Sequence, residues 1–114
     1  MHQNEFLYMF AVVGAGWAGA SLIRELNARG FRDGMPVAIV DDDPSKQGYL
    51  ISDIPVSGTV SDIPSLVKQK GISDIIIALP TVSRSRLEEI SAICLSTGCF
   101  VRVFDKLKRI EEDK

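Results

Sequence analysis

The fold is decided by residues 12–19, VVGAGWAG, which carry the glycine pattern G-x-G-x-x-G. The pattern follows an apolar run at 8–13 and opens an amphipathic segment, so we expect a buried strand, a tight turn and a helix. Here Gly14 permits the turn, Gly16 lets a pyrophosphate approach the backbone, and Gly19 lets the helix lie close to the strand. The first helical turn then offers free N–H groups and a positive dipole to phosphate. The sequence therefore predicts a phosphate-binding turn formed by Gly14, Ala15, Gly16, Trp17, Ala18 and Gly19.

An acidic residue stands where a dinucleotide-binding fold needs one. Asp41 follows the apolar segment 37–40 and lies 22 residues after Gly19, close to the spacing of about 20 residues at which a carboxylate meets the ribose. A carboxylate accepts hydrogen bonds from both ribose hydroxyls and repels a 2′-phosphate, and the nearest basic residue after it is Lys46. The sequence therefore predicts NAD rather than NADP, with Asp41 and its neighbour Asp42 beside the ribose.

The three aspartates at 41–43 have further interpretations. An Asp-x-Asp pair can hold Mg²⁺ beside a nucleotide-sugar diphosphate, although the glycine turn already serves the phosphates and we predict no metal site. A solvated turn before Pro44 accounts for Asp42 and Asp43 without any ligand. A domain of this fold that had lost its ligand would also keep the glycines for packing.

Strands and helices alternate along the rest of the chain. Apolar runs predict strands at 8–13, 37–40, 55–57, 74–78 and 100–103, and helical spacing predicts helices at 17–28, 62–70 and 85–97. Continuously apolar strands joined by helices pair in parallel, with right-handed crossovers. The predicted fold is α/β, a doubly wound Rossmann-like parallel sheet of about five strands in the order 3-2-1-4-5, with helices on both faces.

The end of the fourth predicted strand adds candidate ligand contacts. In a doubly wound sheet this strand lies beside the first, and ligands bind at the carboxyl ends of the strands near that point. We therefore expect Ala78, Leu79 and Pro80 to flank the nucleotide. The polar residues 83–86 at the next helix start are better explained by a solvated helix end than by contact with phosphate.

Length and charge bound the class of protein. A chain of 114 residues with a formal net charge of −2 predicts a single domain at 1–114, with its core at about 8–105 and a charged tail at 106–114. The slight acidity argues against a nucleic-acid partner. Cys94 and Cys99 match neither a zinc site nor a redox motif, which predicts free thiols in a reducing compartment.

One uncharged run is consistent with two structures. Residues 6–23 carry no charged side chain and just reach the length of a membrane span. Three glycines would weaken a continuous helix there by up to ~1 kcal/mol each, and the run continues into an amphipathic pattern. We therefore expect a strand, a turn and the start of a helix instead.

Catalytic residues are not evident in the sequence. A short-chain dehydrogenase needs a Tyr with a Lys four residues later, whereas Tyr8 is followed there by Val12 and Tyr49 by Asp53. Serine-hydrolase and zinc-protease motifs are absent as well. The sequence predicts a binding domain and leaves open whether the chain belongs to an enzyme.

Taken in order, these motifs resemble one known domain family. The matching segments are VVGAGWAG at 12–19, LIREL at 22–26, VDDDPSK at 40–46, GT at 58–59 and IIALP at 76–80. They are similar to the CoA-binding-like, Rossmann-type domain of membrane-bound bacterial nucleotide-sugar 4,6-dehydratases and epimerases of polysaccharide biosynthesis. The resemblance covers about residues 8–105.

The resemblance implies a domain at the cytoplasmic face of the bacterial inner membrane, with transmembrane helices before it and a catalytic short-chain dehydrogenase domain after it. It maps the family's glycine loop onto Gly14, Gly16 and Gly19, its strand-end acid onto Asp41 and its post-strand segment onto 78–80. The ligand stays open between NAD, a nucleotide sugar and CoA. A similar domain precedes the catalytic part of undecaprenyl-phosphate sugar transferases, where it would be regulatory or structural. A homodimer also stays open.

Overall fold

A computed structural model describes residues 8–104, so the charged tail predicted at 106–114 lies outside the described residues. The strands are β1 (Met9–Val13), β2 (Met35–Val40), β3 (Leu50–Ile51), β4 (Ile54–Pro55), β5 (Asp74–Ile77) and β6 (Phe100–Val103). The α-helices are α1 (Trp17–Ala28), α2 (Ile63–Lys70) and α3 (Arg84–Leu95). Short 3-10 turns cover Pro44–Lys46 and Val60–Asp62.

The centre of the fold is a parallel sheet in the order β2-β1-β5-β6. β1 pairs on both sides, with Val13 beside Val40 of β2 and beside Ile77 of β5. All three strand pairings are parallel, as the continuous apolar runs predict. The predicted α/β class and parallel sheet are therefore confirmed.

The predicted count of five strands and the order 3-2-1-4-5 are not confirmed, because the third strand does not form at 55–57. Ser52 and Asp53 have positive φ angles of 49° and 69° and turn the chain back on itself. Ile54–Pro55 consequently pairs antiparallel with Leu50–Ile51 in a separate hairpin. After the hairpin the chain runs beside β2 without forming a strand, through a parallel bridge between Val56 and Ile39. The Ser57 N–H donates to the Ile39 carbonyl at 2.9 Å, and the Asp41 N–H donates to the Gly58 carbonyl at 3.0 Å.

Helices cover both faces of the sheet, as predicted. Along β1 successive side chains alternate between two apolar clusters, since side chains of a strand point to opposite faces. Phe10 and Val12 pack with α1, which contributes Ala18, Leu22, Ile23 and Leu26. Ala11 and Val13 pack with α2 and α3, which contribute Ile63, Leu66, Ile90 and Cys94.

Helix α3 begins earlier than the sequence pattern predicts. Its N-cap is Ser83, whose hydroxyl accepts a hydrogen bond from the Arg86 N–H at 3.1 Å. Ser85 and Glu88 have capping-box spacing, which predicts a start at Ser85 instead. Ser83 competes for the same helix end, and its position puts Arg86 in the first turn of α3, close to the end of β5.

Two further expectations concern the uncharged run and the cysteines. Within residues 8–104 no helix is both long and apolar enough to cross a membrane. The described part of the run at 6–23 forms β1, the glycine turn and the start of α1. Both thiols are free, with Cys94 buried and Cys99 part-buried. Burial raises the pKa of the Cys94 thiol to about 11.

The tightest packing in the fold lies where α1 starts. Gly14 has a φ of 116°, and a Cβ added there would overlap the carbonyl oxygen of Ala78. A Cβ at Gly19 would overlap the carbonyl oxygen of Gly14 itself. Both neighbours are backbone atoms, so neither contact can be relieved by a side-chain rotation. α1 can approach the sheet this closely only because both residues are glycine.

We predict that Gly19→Ala lowers the free energy of unfolding by at least about 3 kcal/mol, the upper end of the usual cost of overpacking, because the added methyl must displace backbone. Urea denaturation followed by circular dichroism measures the loss. Gly16→Ala is the matched control, since a Cβ at Gly16 meets nothing within 4 Å. Equal stabilities of the two variants would contradict the close contact.

Candidate functional site

The candidate site lies at the carboxyl ends of β1, β2 and β5. The chain leaves β1 through Gly14, whose N–H donates to the carbonyl of Val40 at 2.8 Å. α1 then starts after Gly16, its N-cap, which has an extended backbone with φ of −80° and provides no side-chain cap. The first-turn N–H groups of a helix have no partner within the helix. Such groups, together with the helix dipole, favour a negative charge near the start of a helix.

Asp41 braces the glycine turn from the end of β2. Its Oδ2 accepts a hydrogen bond from the Ala15 N–H at 2.7 Å, and its Oδ1 accepts one from the Asp43 N–H at 2.8 Å. A carboxylate has about four lone-pair positions, so these two bonds leave acceptor capacity on both oxygens. The residue expected at the ribose therefore also has a structural role that its spacing did not reveal.

Asp42 lies across from α3 and forms an ion pair with Arg86. Its Oδ2 accepts from the Arg86 guanidinium, and its Oδ1 accepts from the Val60 N–H at 2.9 Å. Arg86 also donates to Glu89 at 3.1 Å. Hydrogen bonds to Glu89 and Asp42 raise the pKa of Arg86 further above its ordinary value. Two carboxylates therefore hold this guanidinium in place.

A cavity of about 180 Å³ opens between the glycine turn and α3. Its polar lining groups are Asp41, Asp42 and Arg86, and its other lining residues are Val13, Gly14, Val60, Leu79, Val82 and Ile90. Apolar walls with a few convergent polar groups are typical of small-molecule sites, which usually measure about 300–1,000 Å³. The smaller volume here suits one flat portion of a ligand whose remainder lies outside.

The structure brings most of the residues that the sequence nominated to this one edge. Gly14, Asp41, Asp42 and Leu79 line the cavity. Gly16 faces open space, and Trp17 at the start of α1 is 56% exposed. The other nominated residues do not line the cavity either. Ala15, Ala18 and Ala78 are buried, and Gly19 in the first turn of α1 packs against the Gly14 carbonyl. Pro80 is exposed and absent from the cavity lining.

Sequence reasoning missed the part of the cavity that comes from distant segments. Val60, Val82 and Ile90 contribute apolar lining, and Arg86 pairs with Asp42 across 44 residues of chain. The nearest signal for Arg86 in the sequence is its place at the start of the helix that follows β5, where the pattern favours a solvated helix end. The capping bond to Ser83 fixes the first turn of α3 and brings this side chain to the cavity.

The aspartates do not form a metal centre within the described residues. Across 8–104 no group of three or more His, Cys, Asp or Glu residues is placed to hold a metal ion. Asp43 caps the 3-10 turn instead, accepting from the Ser45 N–H at 2.9 Å. That backbone hydrogen bond lowers the pKa of Asp43. The capping of this turn therefore explains Asp43 without a ligand.

The parallel sheet, the glycine turn at its switch point and the carboxylate at the end of β2 define a Rossmann-like domain of the nucleotide-binding type. More particularly, the chain belongs to the CoA-binding domain family, whose model matches residues 2–104.

A curated relative supports this assignment. The chain is 47% identical over 102 residues to the capsular polysaccharide biosynthesis protein CapD of Staphylococcus aureus, covering 89% of this chain and 16% of that protein. It therefore spans about one sixth of that relative's length.

Two solved structures share the fold. UDP-D-quinovosamine 4-dehydrogenase from Vibrio fischeri has a TM-score of 0.80 at 22% identity, covering 94% of this chain and 86% of that one. The Rex-family repressor RSP in complex with β-NADH has a TM-score of 0.73 at 14% identity, covering 93% and 57%. At these identities the likeness shows the fold alone.

We predict that Asp41→Ala lowers the free energy of unfolding by about 2 kcal/mol, because the Ala15 N–H loses a charged acceptor in a partly buried position. Thermal or urea unfolding measures the effect. Asp41→Asn is the matched control and should lose less, since its amide oxygen can still accept the Ala15 N–H. A stability unchanged in Asp41→Ala would show that the carboxylate does not brace the turn.

Proposed function

We propose that this chain is an NAD(H)-binding domain that does not itself catalyse a reaction. One observation carries the proposal. At one edge of the sheet, a helix N-terminus without a side-chain cap lies beside an apolar cavity that contains a carboxylate. Those are the three environments that a dinucleotide needs for its pyrophosphate, its adenine and its ribose.

Each part of the ligand has a fitting group. The N-terminus of α1 beyond Gly16 suits the pyrophosphate, because a Cβ there would meet nothing and the space is open. The free lone pairs of Asp41 suit the ribose hydroxyls. The cavity walls formed by Val60, Leu79 and Val82 suit a flat aromatic base.

The charges around the cavity favour a ribose without a phosphate. Asp42 and Glu89 already pair with the Arg86 guanidinium, and Asp41 lines the same cavity. A 2′-phosphate of NADP or a 3′-phosphate of CoA would have to approach this acidic group and break those pairs. Electrostatic repulsion therefore supports NAD over both phosphorylated ligands, whatever ligand gives the family its name.

We infer further that the domain is part of a protein that modifies nucleotide sugars for surface polysaccharide, a 4,6-dehydratase or epimerase. CapD is by its name a capsular polysaccharide biosynthesis protein, and the Vibrio neighbour is a UDP-sugar dehydrogenase. This chain offers neither Tyr8 nor Tyr49 with a Lys four residues later. We therefore assign the chemistry to another part of the protein, at the cytoplasmic face of the membrane.

The NAD proposal predicts a direct optical signal. Trp17 is the sole tryptophan and stands half exposed at the start of α1, so bound NADH should quench its emission and receive its excitation energy. Gly16→Val should weaken the affinity for NADH at least tenfold, because the valine side chain enters the open space before α1.

The fold serves as the control for that titration. Gly16→Val should keep the circular dichroism and unfolding midpoint of the native chain, and Gly16→Ala should lose less affinity than Gly16→Val. No change in Trp17 emission at millimolar NADH, in folded protein, would overturn the NAD proposal. A response to a UDP-sugar in its place would support the alternative of a regulatory domain that binds a nucleotide sugar, as in the sugar transferases that carry a similar domain.

Ligand selectivity tests the charge argument. We predict that NADH binds more tightly than NADPH or CoA. Asp42→Asn should reduce the ratio of the NADPH or CoA dissociation constant to that of NADH by up to about fivefold, the usual limit for one partly exposed charge pair. Calorimetric titration of the three ligands measures it. Asp33→Asn is the control, because it removes the same charge beyond the C-terminal end of α1, where Asp33 pairs with Arg29. Equal narrowing in both variants would contradict a role for Asp42.

A further inference from the structure

Within residues 8–104, strand β6 forms an edge of the sheet and carries exposed apolar side chains. It is the last strand in the order β2-β1-β5-β6. Phe100 is 74% exposed and Val103 57%, and Leu95 at the end of the preceding helix is 61% exposed. These are three of the seven large exposed hydrophobic residues within 8–104. An edge strand offers unpaired N–H and C=O groups to another strand.

The backbone of β6 determines which residues can pair outward. The Phe100 N–H donates to Ser73 at 3.1 Å and the Phe104 N–H donates to Ile77 at 2.8 Å, both toward the β5 side. In a parallel ladder alternate residues bond to the same neighbour. The N–H and C=O groups of Val101 and Val103 therefore point away from β5, into the open edge.

We propose that two copies of this chain pair through β6, antiparallel, about a two-fold axis at Val101. Val101 then exchanges two backbone hydrogen bonds with the partner's Val101. The same register sets Phe100 directly opposite the partner's Arg102 on the same face, twice by symmetry. The four-stranded sheets would join into one continuous sheet across the dimer.

The charge of Arg102 selects this register. Its guanidinium is held on the α1 face by Asp74 at 3.4 Å and by the ring of Phe10 at 5.9 Å, the face on which Phe100 stands. A cation opposite an aromatic ring is attracted to it. The neighbouring register, with the axis at Arg102, would place two guanidinium groups opposite each other, which is unfavourable.

A second copy fits this edge better than an unrelated strand, because the edge is complementary to itself. Val101 supplies a backbone N–H donor and a C=O acceptor at the axis. On each side of the axis the Arg102 cation of one copy stands opposite the Phe100 ring of the other. The apolar exposure at Leu95, Phe100 and Val103 flanks the same strand. Symmetric association also makes every favourable contact occur twice.

Sedimentation velocity of the 114-residue chain over rising concentration tests association directly, and we expect a reversible dimer. Val101→Cys should form an intermolecular disulfide under mild oxidation, since hydrogen-bonded antiparallel pairs have Cα atoms about 5.5 Å apart. Arg102→Cys should crosslink far more slowly. A chain that stays monomeric to millimolar concentration, or faster crosslinking of Arg102→Cys, would overturn the proposal.

A pair of charge variants at Phe100 separates the register from simple loss of an apolar contact. Phe100→Lys should weaken the dimer about tenfold, because two like-charge pairs form with the partner's Arg102. Phe100→Glu should bind more tightly than Phe100→Lys, because its two pairs are attractive. Phe100 is 74% exposed but pairs with Asp74 of β5, so the thermal stability of each monomer is measured alongside to separate a change in dimer affinity from a change within the chain. Equal weakening by Lys and Glu would rule out this register.

Discussion

The contact on which the rest of the structure depends is that between α1 and the turn beneath it. Gly19 rests on the carbonyl oxygen of Gly14, and Gly14 rests on the carbonyl of Ala78, with no room at either position for a methyl group. This double contact sets the position of α1 over β1 and β5. It thereby sets where the open N–H groups of the helix lie relative to Asp41 and the cavity.

Local sequence predicted the elements that local forces determine. The apolar run before Gly14 and the amphipathic run after Gly19 located β1 and α1 closely, because burial of one face and a turn that only glycine permits leave little freedom. The prediction of a strand at 55–57 failed for the opposite reason. The short apolar pairs at 50–57 are consistent with several pairings, and the turn at Ser52 and Asp53, two non-glycine residues with positive φ, decides among them.

The residues of the candidate site likewise fall into those that local sequence could predict and those that it could not. Gly14, Asp41 and Leu79 could be nominated from spacing, since each follows a predicted strand at a position the fold assigns to ligands. The pairing of Asp42 with Arg86 could not, because it joins residues 44 apart and depends on where α3 packs. Asp41 shows a further limit: its spacing indicated a ligand contact, while its bond to the Ala15 N–H appears only in three dimensions.

That bond between Asp41 and Ala15 also has an entropic consequence. A glycine-rich turn is the backbone with the most conformational freedom to lose, and ordering one residue costs about 1–2 kcal/mol. Here the turn is already ordered by its own protein, through a carboxylate on a neighbouring strand. A ligand that arrives meets a preorganised site and contributes little of its binding energy to ordering the loop. Association should then be limited by diffusion and desolvation, with no slow conformational step.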